Sequence, residues 1–232
     1  MPKRVAILQS SYIPWKGYFD IIHDVDEFIF HDDVQYTRQD WRNRNRIKTP
    51  AGTAWLTIPV GGDERRRICD VPLPANDWMR AHRQRLTAAY QRAPFFAAFR
   101  PLLDEIYGGS ARSLSELNQH AIRTIAQQLG LQTRFLDTRE LALQGKKQER
   151  VLEILRQTGA TTYVSGPAAQ TYLDADRFAA ETIELRWKDY AGYPEYEQLH
   201  PPFVHEVTIL DLLFHTGPDA PRFIWGWRGE NA

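Results

Sequence analysis

Cysteine is nearly absent, with Cys69 the single example in 232 residues, so an intrachain disulfide framework and a cysteine-rich zinc site are both excluded. Net charge is absent as well. The 29 basic side chains balance 29 acidic ones, and a pI near 7.1 argues against binding duplex DNA or another long polyanion by bulk charge. Long apolar runs are missing. Val5-Ala6-Ile7-Leu8 stops at Gln9, short of the roughly 7–15 apolar residues of a secretory signal. The stretch 207–214 is interrupted by Asp211 and is far too short to cross a bilayer. The chain therefore reads as soluble and cytoplasmic, without an integral membrane segment. The seven histidines are scattered with no His-Glu-x-x-His or His-x-His pair, so no protein-ligated metal is expected. There is no Walker A sequence and no Gly-x-Gly-x-x-Gly after the first strand. Nothing here names a cofactor, and a magnesium site at His31, Asp32 and Asp33 has no further support.

What is present is an ordinary globular composition, 43% hydrophobic and 25% charged, which supports a real core and one domain over residues 1–232. Seven Trp and an Arg excess of 23 over 6 Lys stand out. The Arg excess has two readings, a GC-rich genome or a use for forked, permanently charged guanidinium groups against carboxylates or phosphates.

The pattern predicts a strand at 5–8, a turn at 10–14, a helix at 15–23 and a strand at 27–30, a unit that implies parallel pairing. Pro50-Ala51-Gly52 lies between extended segments at 46–48 and 54–60, which reads as a hairpin. Residues 61–74, with Gly61-Gly62 and two prolines, read as a surface loop. Helices are predicted at 78–92 with Asp77 as cap, at 95–107, and from Ser113 to Gly130 behind a Ser113/Glu116 capping box. Strands at 134–136, 162–166 and 183–187 alternate with helices at 149–158 and 167–173, and a last helix covers 207–215. The expected fold is α/β: a mainly parallel sheet, an N-terminal strand–turn–helix–strand unit arranged as in nucleotidyltransferase-like folds, a β-hairpin, and a helical subregion at about 77–130.

The densest polar segment runs from His31 to Arg46, beginning where a parallel strand ends and ligands commonly bind. Residues 34–48 hold four Arg and one Lys against one Asp, a local excess of four positive charges. Arg42, Arg44, Arg46 and Lys48 are candidate ligands for phosphate, while Gln35, Trp41 and Asn43 shape the surface between them. The alternative is a solvated charged loop. The turn after the first strand offers Gln9, Tyr12 and Trp15 as an amide and aromatic walls suited to a small-molecule pocket, or as core. Ser165 and Gly166 stand between a strand end and a helix start, where free N–H groups can hold an anion or serve only as a cap. Asp33 and His82 are the candidate proton acceptors. Cys69 follows three arginines that would favour a thiolate, although its loop setting makes it incidental. Interleaved Arg and aromatics at 36–46 suit single-stranded nucleic acid, but the neutral chain argues against that partner.

Gln9-Ser10-Ser11-Tyr12-Ile13-Pro14-Trp15-Lys16-Gly17-Tyr18-Phe19, Asp32-Asp33-Val34-Gln35-Tyr36, Trp41 through Lys48 and Trp55 through Val60 resemble the WbqC-like protein family. The likeness continues through Tyr163-Val164-Ser165-Gly166, Tyr172-Leu173-Asp174 and Ile209 through Phe214, and Ser10-Ser11 departs from the Gln-Pro-x-Tyr of many relatives. The resemblance implies a role in O-antigen or other surface-polysaccharide biosynthesis, with transfer of an acyl or aminoacyl group to an amino sugar or similar amine. The implied partner is a phosphorylated small molecule, a nucleotide sugar or an acyl-carrier or CoA thioester. Two other classes stay open: an ATP-using nucleotidyltransferase or ligase, and a non-catalytic scaffold.

Overall fold

Five parallel strands frame the computed structural model, which describes residues 2–228. They are β1 (Arg4–Leu8), β2 (Glu27–Phe30), β5 (Arg134–Asp137), β6 (Thr162–Ser165) and β7 (Glu184–Trp187), ordered β5-β2-β1-β6-β7. β3 (Arg44–Thr49) and β4 (Gly52–Thr57) form a separate antiparallel hairpin, in which Arg46 opposes Trp55. The α/β class, the parallel sheet, the hairpin and the helical run after it are those expected from the sequence.

Strand alternation sends side chains to two cores. Ala6, Phe28, Phe30 and Val164 enter the larger one, and Val5, Ile7, Ile29 and Tyr163 enter the smaller. Helices α1 (Lys16–His23), α4 (Leu114–Gln128) and α7 (Ile209–Thr216) cover the first face. Helices α5 (Lys147–Thr158) and α6 (Ala175–Ala180) cover the second. Strands covered on both sides read as continuous apolar runs, which is why 5–8 and 27–30 were legible. α4 carries the capping box read from Ser113 and Glu116, and it seats Leu117, Ile122 and Ile125 against the sheet. Burial of such side chains is worth about 1.5–3 kcal/mol each. α2 (Trp78–Tyr90) and α3 (Arg100–Gly108) complete the helical region between β4 and β5. Among the described residues no helix is long and apolar enough to cross a membrane.

Four local expectations change. The helix expected from residue 95 begins at Arg100: residues 94–99 form turns, with the Phe95 N–H donating to the Phe214 carbonyl (2.9 Å), and Pro101 suits a first turn. Asp77 does not cap α2; its carboxylate binds Arg80 instead. α6 was not anticipated, although Asp174 caps it by accepting from the Asp176 N–H at 3.1 Å. The loop at 61–74 contains a short helical turn, Ile68–Asp70, that buries Ile68 and Val71.

Candidate functional site

The strand order reverses at β1: one branch of the sheet runs outward through β2 to β5, the other through β6 to β7. At such a point the loops leaving two neighbouring strands part in opposite directions and leave a crevice at their carboxyl ends. A cleft of about 1300 Å³ lies there, touching Leu8 and Gln9 after β1, His31 after β2, and Ser165 and Gly166 after β6.

One wall is built by the turn after β1 and by the hairpin. Ile13 holds φ 34°, an unusual conformation for a β-branched residue, and its surroundings enforce it. The Ile13 carbonyl accepts from Asn45 Nδ2 (2.9 Å) and Thr208 Oγ1 (2.7 Å), and the Tyr12 N–H donates to the Trp41 carbonyl (2.9 Å). This bend delivers Pro14 and Trp15 to the cleft. Trp15 packs edge-on against Tyr190 at 5.3 Å and lies so close over Gly17 that any side chain there would strike its ring.

The polar groups beneath the wall are tied by a carboxylate. Asp32, fully buried, accepts from the Ser10 N–H (2.7 Å), Ser115 Oγ (2.5 Å) and Gln119 Nε2 (3.2 Å), joining the ends of β1 and β2 to α4. Gln9 offers its side-chain oxygen to Arg42, whose carbonyl accepts from Asn118 Nδ2 at 2.8 Å. Arg46 also lines the cleft, 3.9 Å from Glu206. Arg44 lies 4.1 Å over Trp55, and Trp55 and Trp41 are 5.5 Å apart on the exposed face of the hairpin. The Nε atoms of Arg42, Arg44 and Arg46 are closed off from solvent without a protein partner. Arg42 meets no carboxylate among the described residues and Arg46 only the distant Glu206, which leaves their charge for an anion.

The opposite wall comes from the smaller-core side of the sheet. Lys146 and Lys147 at the start of α5, Tyr172, and Arg177 on α6 line it. Arg177 is paired to Glu149 (2.6 Å), whereas neither lysine has a carboxylate partner among the described residues. His31 stands at this end. Its Nε2 accepts from Arg150 Nε at 3.2 Å, and the other arm of Arg150 holds Asp33, which also accepts from Thr138 Oγ1 at 2.6 Å. Burial first, then the Arg150 charge, draw the His31 pKa below its ordinary value against the pull of Asp33.

Of the residues anticipated from sequence, the structure brings Gln9, Trp15, Trp41, Arg42, Arg46, Ser165 and Gly166 to the cleft. Seven others lie outside its lining. Arg44 adjoins it through Trp55, and Asp33 is held behind His31 by Arg150. Tyr12 and His82 are buried together, with Tyr12 Oη 2.7 Å from His82 Nδ1, and Tyr12 also contacts Tyr107. Asn43 is buried and donates to the Ile58 carbonyl (3.0 Å), while Lys48 is buried against the Pro202 carbonyl. Gln35 is exposed and bridges Arg67. Lys146, Lys147, Arg177 and Tyr190 are cleft residues that the sequence pattern does not single out, and His31 is a sequence candidate only within the unsupported magnesium grouping. The adjacent lysines, two of only six in the chain, were the available signal; Tyr190 left none.

Cys69 departs from its expected behaviour. Burial and then Asp70, with its carboxylate 3.7 Å from the sulfur, push the thiol pKa up against the opposing charges of Arg67 and Arg139. Among the described residues one grouping, Asp20, His23 and Asp24, is close enough to hold a metal. Protein cations already occupy it: Lys188 and Arg228 bind Asp20 at 2.9 and 2.7 Å, and Lys188 also binds Asp24 at 2.5 Å.

A family model described as the WbqC-like protein family matches residues 9–223. The chain is similar to the uncharacterized protein Rv1507c of Mycobacterium tuberculosis, with 44% identity over 225 residues that cover 96% of this chain and 97% of the relative. No solved structure matches at a significant level.

Proposed function

The chain belongs to the WbqC-like protein family, and from that premise we propose that it is a group-transfer enzyme of bacterial surface-polysaccharide biosynthesis, O-antigen included. In this reading it binds a phosphorylated donor or acceptor in the switch-point cleft and moves an acyl or aminoacyl group onto the amine of an amino sugar. The observation that carries the reading is the pairing of aromatic walls with Arg42 and Arg46, neither of which meets a carboxylate closer than 3.9 Å among the described residues, in one cleft at the carboxyl edge of a parallel sheet. Arg42 and Arg46 bind phosphoryl oxygens, with Arg44 and Trp55 extending the same face. Trp15, Trp41 and Tyr190 hold the flat part of the ligand, and Gln9, fixed by Arg42, orients it. The amine attacks the carbonyl carbon of a thioester or acyl phosphate. The carbon–sulfur or carbon–oxygen bond breaks, and the proton lost by the amine ends on the departing thiol or phosphate, so the step balances without a further reactant. Asp33 acts at one remove, through Arg150 and His31. The buried His82 serves the scaffold.

A second reading, nucleotidyl transfer or ATP-dependent ligation, is favoured by the strand–turn–helix–strand opening with β1 at the centre of the sheet. Thermal shift with a nucleotide sugar, acetyl-CoA and ATP separates the two. Stabilisation by nucleotide sugar or acetyl-CoA, abolished in Arg42→Ala and Arg46→Ala, is the expected result. Stabilisation by ATP alone transfers the assignment to the second reading, and no stabilisation by any of them removes both. Mass spectrometry of surface glycan from a deletion strain then identifies the missing acyl or aminoacyl substituent.

A further inference from the structure

We propose that Arg150 locks His31 in the neutral Nδ1–H tautomer, so that His31 acts in the cleft as a fixed hydrogen-bond donor to a phosphoryl oxygen and not as a base. The inference rests on the phosphorylated-ligand reading for the identity of the acceptor, and on geometry alone for the tautomer.

An arginine Nε only donates. With Arg150 Nε 3.2 Å from His31 Nε2, that ring nitrogen must present its lone pair, and in a neutral imidazole the proton then resides on Nδ1. Nδ1 makes no hydrogen bond to the described residues and is not among the polar atoms sealed without a partner, so its N–H faces the cleft that His31 lines. Protonating Nε2 would set two N–H donors head to head and place a cation beside Arg150. Arg150 cannot easily step aside, because its other arm binds Asp33, which Thr138 fixes in turn.

The charged groups facing the ring are Asp33, Asp32 and Asp137, which favour protonation, and Arg150, which with burial opposes it. The Asp33 carboxylate stands 4.0 Å from Nε2, beyond hydrogen-bond reach. The three carboxylates are also otherwise engaged: Asp33 by Arg150, Asp32 by Ser10 and Ser115, and Asp137 by Arg139 and Gln119. Lys146 and Lys147 line the same cleft, and its two carboxylates, Glu149 and Glu206, face Arg177 and Arg46, so the acceptor that suits the lysines is anionic. The lysines supply its countercharge, and a neutral imidazole supplies direction without a further desolvated charge, as electrostatic preorganisation requires.

The test is nitrogen-15 NMR of the full chain labelled in histidine, with His31→Asn used to assign the ring. The expected spectrum shows Nδ1 protonated and Nε2 bare from pH 8.5 down to pH 6. In Arg150→Gln the bare Asp33 faces the ring, so the proton moves to Nε2 and the titration moves upward. In Asp33→Asn, where Arg150 remains, the native tautomer persists. An Nε2–H ring in the native chain, or a ring titrating above its ordinary value, overturns the proposal whatever the variants do. Saturating pyrophosphate is expected to move the Nδ1 resonance; the correct tautomer with an unmoved Nδ1 overturns the donor role. The tautomer is read without substrate, so its failure leaves the phosphorylated-ligand reading standing. Failure of that reading would appear instead as absent binding at Arg42 and Arg46.

Discussion

Lowering the pH from 7.5 to 5 should cost this protein stability through one buried imidazole. His82 is 4% exposed, its Nε2 is 3.2 Å from the Thr57 carbonyl and its Nδ1 is 2.7 Å from Tyr12 Oη. A carbonyl accepts only, so Nε2 carries the proton and Nδ1 accepts from Tyr12, whose own oxygen then accepts from Tyr107. The run of donors is complete with a neutral ring. Adding a proton to Nδ1 requires Tyr12 and Tyr107 to reverse their hydroxyls and buries a charge. Burial first, then Arg85, lowers the pKa to about 4, against the favourable bond to Thr57. In the unfolded chain the ring titrates at about 6.5, so between the two values the unfolded state binds more protons and stability falls as the pH falls. The full gap is worth roughly 3 kcal/mol, of which about 2 kcal/mol is lost by pH 5. Other histidines contribute, His31 and His205 in the same direction and His215, raised by Asp211 against burial, in the opposite one. A difference measurement removes them. His82→Gln keeps a donor for Thr57 but no titration, so urea unfolding at pH 7.5 and pH 5 should show the native chain losing about 2 kcal/mol more than the variant. Equal losses within about 0.5 kcal/mol would refute the buried neutral ring.

Asp32→Ala leaves the donors of Ser10, Ser115 and Gln119 without their shared acceptor and should cost about 3–5 kcal/mol by urea unfolding. Asp20→Ala leaves Arg228 without its carboxylate and Lys188, 5% exposed, with Asp24 alone, an expected loss of about 3–5 kcal/mol, whereas breaking the exposed pair Arg65–Asp63 should leave the urea midpoint unchanged. Cys69 should react with iodoacetamide at pH 7.5 more slowly than a free cysteine, and Asp70→Asn should speed it, because burial and then Asp70 disfavour the thiolate. Trp55→Ala should weaken whichever phosphorylated ligand stabilises the chain, measured as a reduced thermal shift, since the Trp55 ring holds the Arg44 guanidinium in place.

Local pattern revealed most of the frame and half of the cleft. β1 and β2 were legible because strands buried on both faces are uninterrupted apolar runs, and α4 because Ser113 and Glu116 close a capping box. The turn at Gln9 and the segment at Arg42 and Arg46 were legible because polar and aromatic residues gather there where a strand should end. The other wall was not, for a reason of distance along the chain. β1 pairs with β6 across about 150 residues of sequence, and only that pairing sets Lys146 and Lys147 opposite Gln9. Tyr12 and His82 looked like site residues because each sits in a favourable local context. The fold turns both toward the same interior hydrogen-bond chain, which no local pattern encodes.

Zero net charge, read over the whole chain, is the sum of many local pairings. Arg65 meets Asp63, Arg67 meets Asp70, Arg80 meets Asp77, Arg156 and Arg177 share Glu149, and Arg186 meets Glu184. Arg42 and Arg44 meet no carboxylate among the described residues, and Arg46 reaches Glu206 only at 3.9 Å. The stacking of Arg44 and Arg46 on tryptophan does not replace that partner, because a ring face offers attraction but no acceptor in the plane of the guanidinium. Each keeps its Nε sealed from water, where an unmet donor costs about 1–3 kcal/mol. An anion in the cleft can supply the missing countercharge to Arg42 and Arg46. Ligand binding should therefore weaken steeply with salt even though the protein as a whole is neutral, since the charge that matters is gathered around the cleft.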